Sequence, residues 1–251
     1  MLNLLAVADD PWRWEPHPEV WFLVGAIIML GVWSTRIGPR VLPPGTPVAT
    51  TKQKWSFITA TLLLYAVADW PIHDIAEEHL YLVHMIQHMV ITLIAPPLFL
   101  LAMPVWLARL IILDGGWGSR LIRKLSHPVV AAVIFNALAA ITHWSGMVQW
   151  SFDSGMFHYF LHLVLFVSAL LMWLPVVSPL QELRLSPPGQ MLYLFLNSVI
   201  PTIPAAWLTF AEGTVYKHYD NGYELWGISV VSDQQAAGVI MKIIGGFYLW
   251  G

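Results

Sequence analysis

Long apolar segments separated by short polar loops recur along the whole chain. A transmembrane helix needs about 20 mostly apolar residues, and seven segments approach that length. They are residues 19–36, 55–72, 79–103, 128–146, 156–178, 189–211 and 233–251. A further stretch near 104–113 is too short to span and is expected to form an interfacial helix. The pattern predicts an all-α integral membrane protein, with residues 1–251 forming one bundle of seven transmembrane helices.

Composition agrees with this class. The chain is 57% hydrophobic and 11% charged, whereas an average soluble domain is roughly 45–50% apolar and about 25% charged. The 14 tryptophans are typical of aromatic belts at the two membrane interfaces. The net charge of −3 is small and there is no basic tail. We therefore expect membrane lipid, and no nucleic acid, around this chain.

Prolines interrupt two of the predicted segments. The third contains Pro96 and Pro97, and the sixth contains Pro201 and Pro204. A proline inside a membrane helix is tolerated when neighbouring groups satisfy the backbone carbonyl that it leaves free. We expect a kink at both places.

Basic residues predict how the bundle is oriented, because Lys and Arg are in excess in cytoplasmic loops. The loops after the first, third and fifth segments carry nine of them: Arg36, Arg40, Lys52, Lys54, Arg109, Arg120, Arg123, Lys124 and Arg184. The opposite loops carry only Arg13 and Lys217. This asymmetry predicts an outer N-terminus and a cytoplasmic C-terminus. Every histidine except His127 then lies in the outer half or outer loops.

Two histidine pairs with helical spacing lie near the outer ends of apolar segments, His84/His88 and His158/His162. Residues i and i+4 share one helix face, so each pair can direct two imidazoles at one point. Ionisable residues at membrane depth are costly and normally face a cavity or a partner. The two pairs together predict a ligand cage for a transition metal or a haem.

Further candidates lie at the same outer end: Asp69, His73, Glu77, His79, Met85 and His143. Glu77 precedes His84 by seven residues and shares its face if the third helix begins early enough, so its carboxylate would accept a ring N–H. Imidazole with thioether suits copper, and methionine favours the cuprous ion. The chain has no cysteine, which excludes thiolate relays and iron–sulfur clusters within this polypeptide.

These residues are also compatible with different roles. Histidine pairs serve as hydrogen-bonding groups inside many helical bundles, and His17, His73 and His218 are expected on the solvated surface. One histidine from each of two helices would also ligate a haem. A di-iron enzyme needs more histidines in each cluster. A transporter that uses the intramembrane charges is a further alternative, although no inverted repeat supports it.

Three runs resemble a known family: EEHLYLVHMIQHMVITLIAPPLFLLAMP (Glu77 to Pro104), FHYFLHLVLF (Phe157 to Phe166) and DQQAAGVIMK (Asp233 to Lys242). With them the chain resembles the multi-spanning CtaG-type bacterial cytochrome c oxidase assembly proteins, which are associated with copper supply to haem–copper oxidases. Carried over by position, the family's residues correspond to His84, His88, His158, His162, Asp233 and Met241.

The resemblance implies an assembly factor rather than an enzyme, in the bacterial plasma (inner) membrane. Such a protein would bind copper transiently, as Cu(I), near the outer face. It would receive the ion from an upstream donor and deliver it to the catalytic subunit of a haem–copper oxidase. The alternative is an accessory membrane subunit, or a haem-binding protein, of a respiratory complex.

Overall fold

A computed structural model describes residues 10–250, and this range contains helices and loops without any strand. The helices of eight or more residues are α1 Pro18–Val41, α2 Thr51–Ala68, α3 Tyr81–Met89, α4 Ala95–Ala102, α5 Val105–Ile112, α6 Trp117–Leu125, α7 Pro128–Thr142, α8 Ser145–Phe152, α9 Gly155–Val177, α10 Pro187–Val199, α11 Thr202–Thr209 and α12 Val230–Trp250. Shorter turns are Ile72–Asp74, the π-helical Ile75–His79 and Val90–Ile94, and the 3-10 turns Gln181–Leu183, Lys217–Tyr219 and Leu225–Gly227. The all-α prediction is confirmed for the described range.

Within residues 10–250, four helices are long and apolar enough to cross a membrane: Pro18–Val41, Tyr81–Ala102, Gly155–Val177 and Pro187–Thr209. Two bent pairs raise the number to six, Thr51–Ala68 with Ile72–His79 and Trp117–Leu125 with Pro128–Thr142. These six correspond to the first six predicted segments. The seventh forms α12, which carries Asp233 and Lys242 and does not belong to this set. The protein is thus a helical membrane protein with four to six candidate spans, and the seventh span stays a prediction.

The helix Tyr81–Ala102 lies at the centre of the bundle. In the most apolar 18-residue stretch of this helix, 61% of the residues are buried, whereas only 11% are buried in the corresponding stretch of α1. α12 packs against α3 and α11, and α9 packs against α4 and α7. The α1 helix lies at the periphery and exposes large apolar side chains such as Phe22 and Met29, as expected where lipid covers the surface. The polar residues of α3 therefore face protein rather than lipid.

The predicted interruption at Pro96 is present as the π-helical turn Val90–Ile94. Proline has no N–H, so Pro96 leaves the carbonyl of Thr92, four residues earlier, without its helical donor. The indole Nε1–H of Trp173, on α9, donates to that oxygen at 3.0 Å. The neighbouring helix thus supplies the hydrogen bond that the proline removes.

The predicted interruption at Pro201 separates α10 from α11. Asn197 lies in α10, just before Pro201. Its side-chain oxygen accepts a hydrogen bond from the Asn136 side chain at 2.7 Å, which joins α7 to α10 inside the bundle. The fourth segment, predicted to extend to residue 146, ends at Thr142, and α8 follows as a separate helix. The short helix predicted near 104–113 is present as α5.

The third helix begins at Tyr81 and not at residue 79, because Leu80 is extended, with φ −131° and ψ 111°. Its N-terminus is therefore separate from the π-helical turn that carries Glu77 and His79. This break rotates the residues before it away from the face expected from an unbroken helical register.

The close contact of α11 and α12 depends on Gly238. A Cβ at this position would lie 2.6 Å from Thr209 Oγ1 and 2.7 Å from the Ala205 carbonyl oxygen. We expect Gly238→Ala to lower the free energy of unfolding by about 1–3 kcal/mol, because overpacking forces the helices apart. Thermal unfolding in detergent measures it. The matched control is Gly246→Ala on the same helix, where a Cβ meets nothing within 4 Å; equal melting temperatures would contradict the prediction.

Candidate metal centre

The two predicted histidine pairs meet inside the bundle. Regular helical spacing places His84 and His88 on one face of α3, and His162 reaches them from α9. Within residues 10–250 these three form a group whose ligand atoms all lie within 4.8 Å of one another. The Nε2 atoms of His88 and His162 are 3.1 Å apart. We call His84, His88 and His162 the histidine centre.

His158, the fourth predicted ligand, lies directly beside the histidine centre. Its ring centroid is 4.4 Å from that of His162 and 5.5 Å from that of His84. In the described part of the chain, His158 Nε2 and His84 Nδ1 are buried side-chain atoms without a hydrogen-bond partner. Leaving a buried polar atom unsatisfied is costly, so both nitrogens are available to an ion.

The residues of the histidine centre could hold a transition-metal ion. The group of three contains imidazoles and no carboxylate. Met85 is buried, and Met85 and Met241 line a cavity that His88 also lines. Imidazole and thioether are ligands that suit copper. A metal 2.0–2.1 Å from each nitrogen would require nitrogens at most about 4.2 Å apart, so the rings would draw together slightly on binding.

Asp233, which the sequence resemblance suggested as a site residue, contacts the backbone at the start of α3. Its carboxylate accepts the backbone N–H groups of Tyr81 at 2.7 Å and Leu82 at 3.0 Å. These are among the orphan donors that begin a helix, and a negative charge is favourable at this end. Asp233 on α12 thereby caps α3, the helix that carries His84 and His88.

Glu77 contacts His73 and not His84, so the expected support of a ligating imidazole from Glu77 is absent. Glu77 Oε2 is 2.8 Å from His73 Nε2. The cause is the break at Leu80, which removes the continuous register on which the expectation depended. His73 is buried rather than solvated, and its ring centroid lies 6.1 Å from that of His158.

His73 belongs to a hydrogen-bonded group that we call the polar layer, which consists of His17, His73, Asp74, Glu77 and Tyr159. The Gln87 amide nitrogen, 3.0 Å from His73 Nδ1, can only donate, so that ring nitrogen accepts. The Tyr159 hydroxyl lies 2.9 Å from His73 Nε2 and 3.0 Å from His17 Nδ1, and His17 Nε2 is 2.6 Å from Asp74. Both ring nitrogens of His73 and of His17 are thus occupied, unlike those of His84 and His158.

Sequence reasoning missed three members of this region: His17, Tyr159 and Gln87. His17 was expected on the solvated surface, yet its ring centroid lies 4.9 Å from that of His73. Tyr159 directly follows His158, and Gln87 directly precedes His88. A polar residue next to a candidate ligand on an apolar helix is the signal that would have pointed to Tyr159 and Gln87.

The other predicted residues lie away from the histidine centre. The Asp69 carboxylate accepts the Trp21 indole N–H at 3.0 Å and ties α1 to the end of α2. The His79 ring packs against Tyr223, 5.8 Å between centroids. His218 stacks on Phe152 at 3.8 Å, and its Nε2 lies 2.9 Å from the Glu77 carbonyl oxygen.

His143 follows α7 and lies beside the histidine centre, its ring centroid 6.0 Å from that of His88. Its Nδ1 is 2.6 Å from the Ala139 carbonyl oxygen. The Tyr216 hydroxyl donates to the His143 carbonyl oxygen at 2.8 Å. Burial raises the pKa of Tyr216 to about 12, so this hydroxyl remains a donor at neutral pH and fixes the end of α7.

The fold and this arrangement define a helical membrane protein with a cluster of histidines inside its bundle. The model of the cytochrome c oxidase caa3 assembly factor family (Caa3_CtaG) matches residues 40–250. The chain therefore belongs to this family of cytochrome c oxidase assembly factors, as its sequence resemblance suggested. Neither the curated proteins nor the solved structures contain a match to it.

The Asp233 cap makes a testable prediction. Asp233→Ala leaves the Tyr81 and Leu82 N–H groups without their acceptor, and a buried unsatisfied donor costs about 1–3 kcal/mol. We expect a lower melting temperature in detergent, with Asp233→Asn intermediate because it keeps one acceptor oxygen. Asp153→Ala, at an exposed carboxylate, is the control. A melting temperature of Asp233→Ala equal to that of the control would refute the capping role.

Proposed function

We propose that this assembly factor binds Cu(I) transiently at the histidine centre and delivers it to the catalytic subunit of a haem–copper oxidase. The observation that carries the proposal is the approach of His84, His88 and His162, with ligand atoms within 4.8 Å, in a chain of the oxidase-assembly family. His158 is proposed as the fourth ligand or as the group that exchanges with one of the three.

Easy release follows from the donor set. Three imidazoles offer no anionic ligand to hold a cation in the bundle. His88 and His162 are 3.1 Å apart through Nε2, a hydrogen bond between the two rings. One ring must move its proton to Nδ1 before both Nε2 atoms can bind copper. We therefore expect moderate affinity, and delivery of an ion requires no catalytic step, so we propose no enzymatic activity.

The proposed topology places the histidine centre on the side where the ion is needed. With seven spans and an outer N-terminus in the bacterial plasma membrane, His84 and His162 lie in the outer halves of their helices. The resemblance implies a client copper centre inside the membrane and toward the outer face. An ion held at similar depth would pass sideways between the two proteins, after loading by an upstream copper donor.

A stable accessory subunit without metal transfer is the second candidate, and it would be favoured by stoichiometric co-purification with mature oxidase. A haem site is less well supported by the geometry. The cavity beside His88 has a volume of about 70 Å³, whereas pockets for larger organic ligands hold roughly 300–1,000 Å³. The direct contact of His88 with His162 also leaves no gap for a macrocycle between the two rings.

Copper binding tests the proposal directly. We expect purified protein, loaded anaerobically with Cu(I), to retain about one ion at the histidine centre after mild washing. The double variant His84→Ala/His88→Ala should lose this ion, because two of three ligands are removed. His127→Ala, at an exposed histidine outside the histidine centre, is the control. Equal copper in wild type and double variant, or an ion that no chelator removes, would contradict the delivery role.

Single cysteines test the topology, because the chain has none of its own. Glu212→Cys and Thr46→Cys place thiols in exposed loops at opposite predicted sides. A membrane-impermeant maleimide should label Glu212→Cys in intact cells, after permeabilisation of the outer membrane where one is present. It should label Thr46→Cys only after the plasma membrane is opened. The reverse labelling pattern would invert the proposed orientation.

A further inference from the structure

A cavity of about 70 Å³ lies beside the histidine centre, where His88 belongs to both. His88 and His143 line it, and so do three methionines, Met85, Met89 and Met241. It is large enough for an ion, since one water molecule needs about 10–15 Å³ of such volume. Two imidazoles and three thioethers around one cavity are an unusual set for a merely apolar void.

His143 is the residue that points to a ligand. It is 6% exposed, and its Nδ1 lies 2.6 Å from the Ala139 carbonyl oxygen. A carbonyl only accepts, so Nδ1 carries the proton and Nε2 presents a lone pair. Within residues 10–250 this Nε2 is among the buried atoms that lack a hydrogen-bond partner. The tautomer is thus already the one that a metal requires.

We propose that His143 Nε2 and a methionine thioether of this cavity form a second Cu(I) site, a position that the ion occupies after the histidine centre. The inference rests on the proposed copper-binding function. His88 belongs to the histidine centre and also lines the cavity, and its ring centroid is 6.0 Å from that of His143. An ion can therefore pass from one site to the other along His88 without leaving the protein.

A lysine on the cavity wall limits how long the ion stays. Lys242 lines the same cavity, and its ammonium donates to Thr202 Oγ1 at 2.6 Å. The described residues place no carboxylate on the cavity wall. A cation in the cavity is therefore repelled by Lys242 with little screening from water. The second site should bind more weakly than the histidine centre, as expected of a position on an exit route.

Titration with Cu(I) against a competing chelator tests the second site in the whole protein. We expect two binding events in wild type. His143→Ala should keep the first and weaken the second by at least the roughly 10–100-fold that loss of an outer partner causes at metal sites. X-ray absorption should detect sulfur scattering only with the second equivalent. The triple variant Met85→Leu/Met89→Leu/Met241→Leu should lose that sulfur signal, at little cost in packing because the volumes are similar.

A variant that fills the cavity gives a test without touching a ligand. Gly246 lines the cavity, and a Cβ there meets nothing within 4 Å. Gly246→Val should weaken the second binding event and leave the first unchanged. Gly25→Val, an equally unobstructed glycine on the peripheral helix α1, is the control and should leave both events unchanged.

The outcomes separate the two proposals. No Cu(I) in wild type would overturn the copper-binding function itself. One ion only, or a second ion unaffected by His143→Ala, would overturn the second site and leave the histidine centre standing. In that case a water molecule is the occupant that satisfies His143 Nε2. Two ions, with the second lost in His143→Ala and reduced in Gly246→Val, would support it.

Discussion

A polar group inside a membrane bundle must find its partner within the protein, because lipid offers none, and this constraint organises the molecule. The carbonyl that Pro96 leaves free receives the Trp173 indole. The first N–H groups of α3 receive the Asp233 carboxylate. His17 and His73 are likewise occupied at both ring nitrogens by the polar layer and Gln87. Within residues 10–250 several buried side-chain atoms still lack a partner, among them oxygens of Gln87 and Asn136. The unpartnered nitrogens of His84, His143 and His158 differ from these because they lie on neighbouring histidines, and for that reason we propose ligand chemistry there.

Local periodicity was sufficient to predict the parts of the site that depend on one helix. The spacing of His84 and His88 determined their common face, and α3 and α9 are regular where the two pairs lie. The long apolar segments likewise indicated the helices and their approximate bounds. The proline interruptions were predictable because proline removes a specific hydrogen bond.

The sequence could not predict the contacts of residues whose position depends on a helix break or on a distant part of the chain. Glu77 was expected beside His84, but one extended residue, Leu80, redirects it to His73. Asp233 caps a helix about 150 positions earlier in the chain, which no local pattern encodes. His17 looked like a surface residue because its partners, Asp74 and Tyr159, come from two other segments. Tertiary contacts decided each of these cases.

The separation of carboxylates from the histidine centre has a consequence for the charge of the ion. Glu77 and Asp74 belong to the polar layer, and Asp233 is engaged with backbone N–H groups. An ion among His84, His88 and His162 would keep its full charge in a medium of low dielectric constant. The Born cost of burial grows with the square of that charge, so the desolvation cost of a cupric ion would be about four times that of a cuprous ion. If copper binds as we propose, the fold itself would thus favour the cuprous ion, before any preference of the ligand atoms is considered.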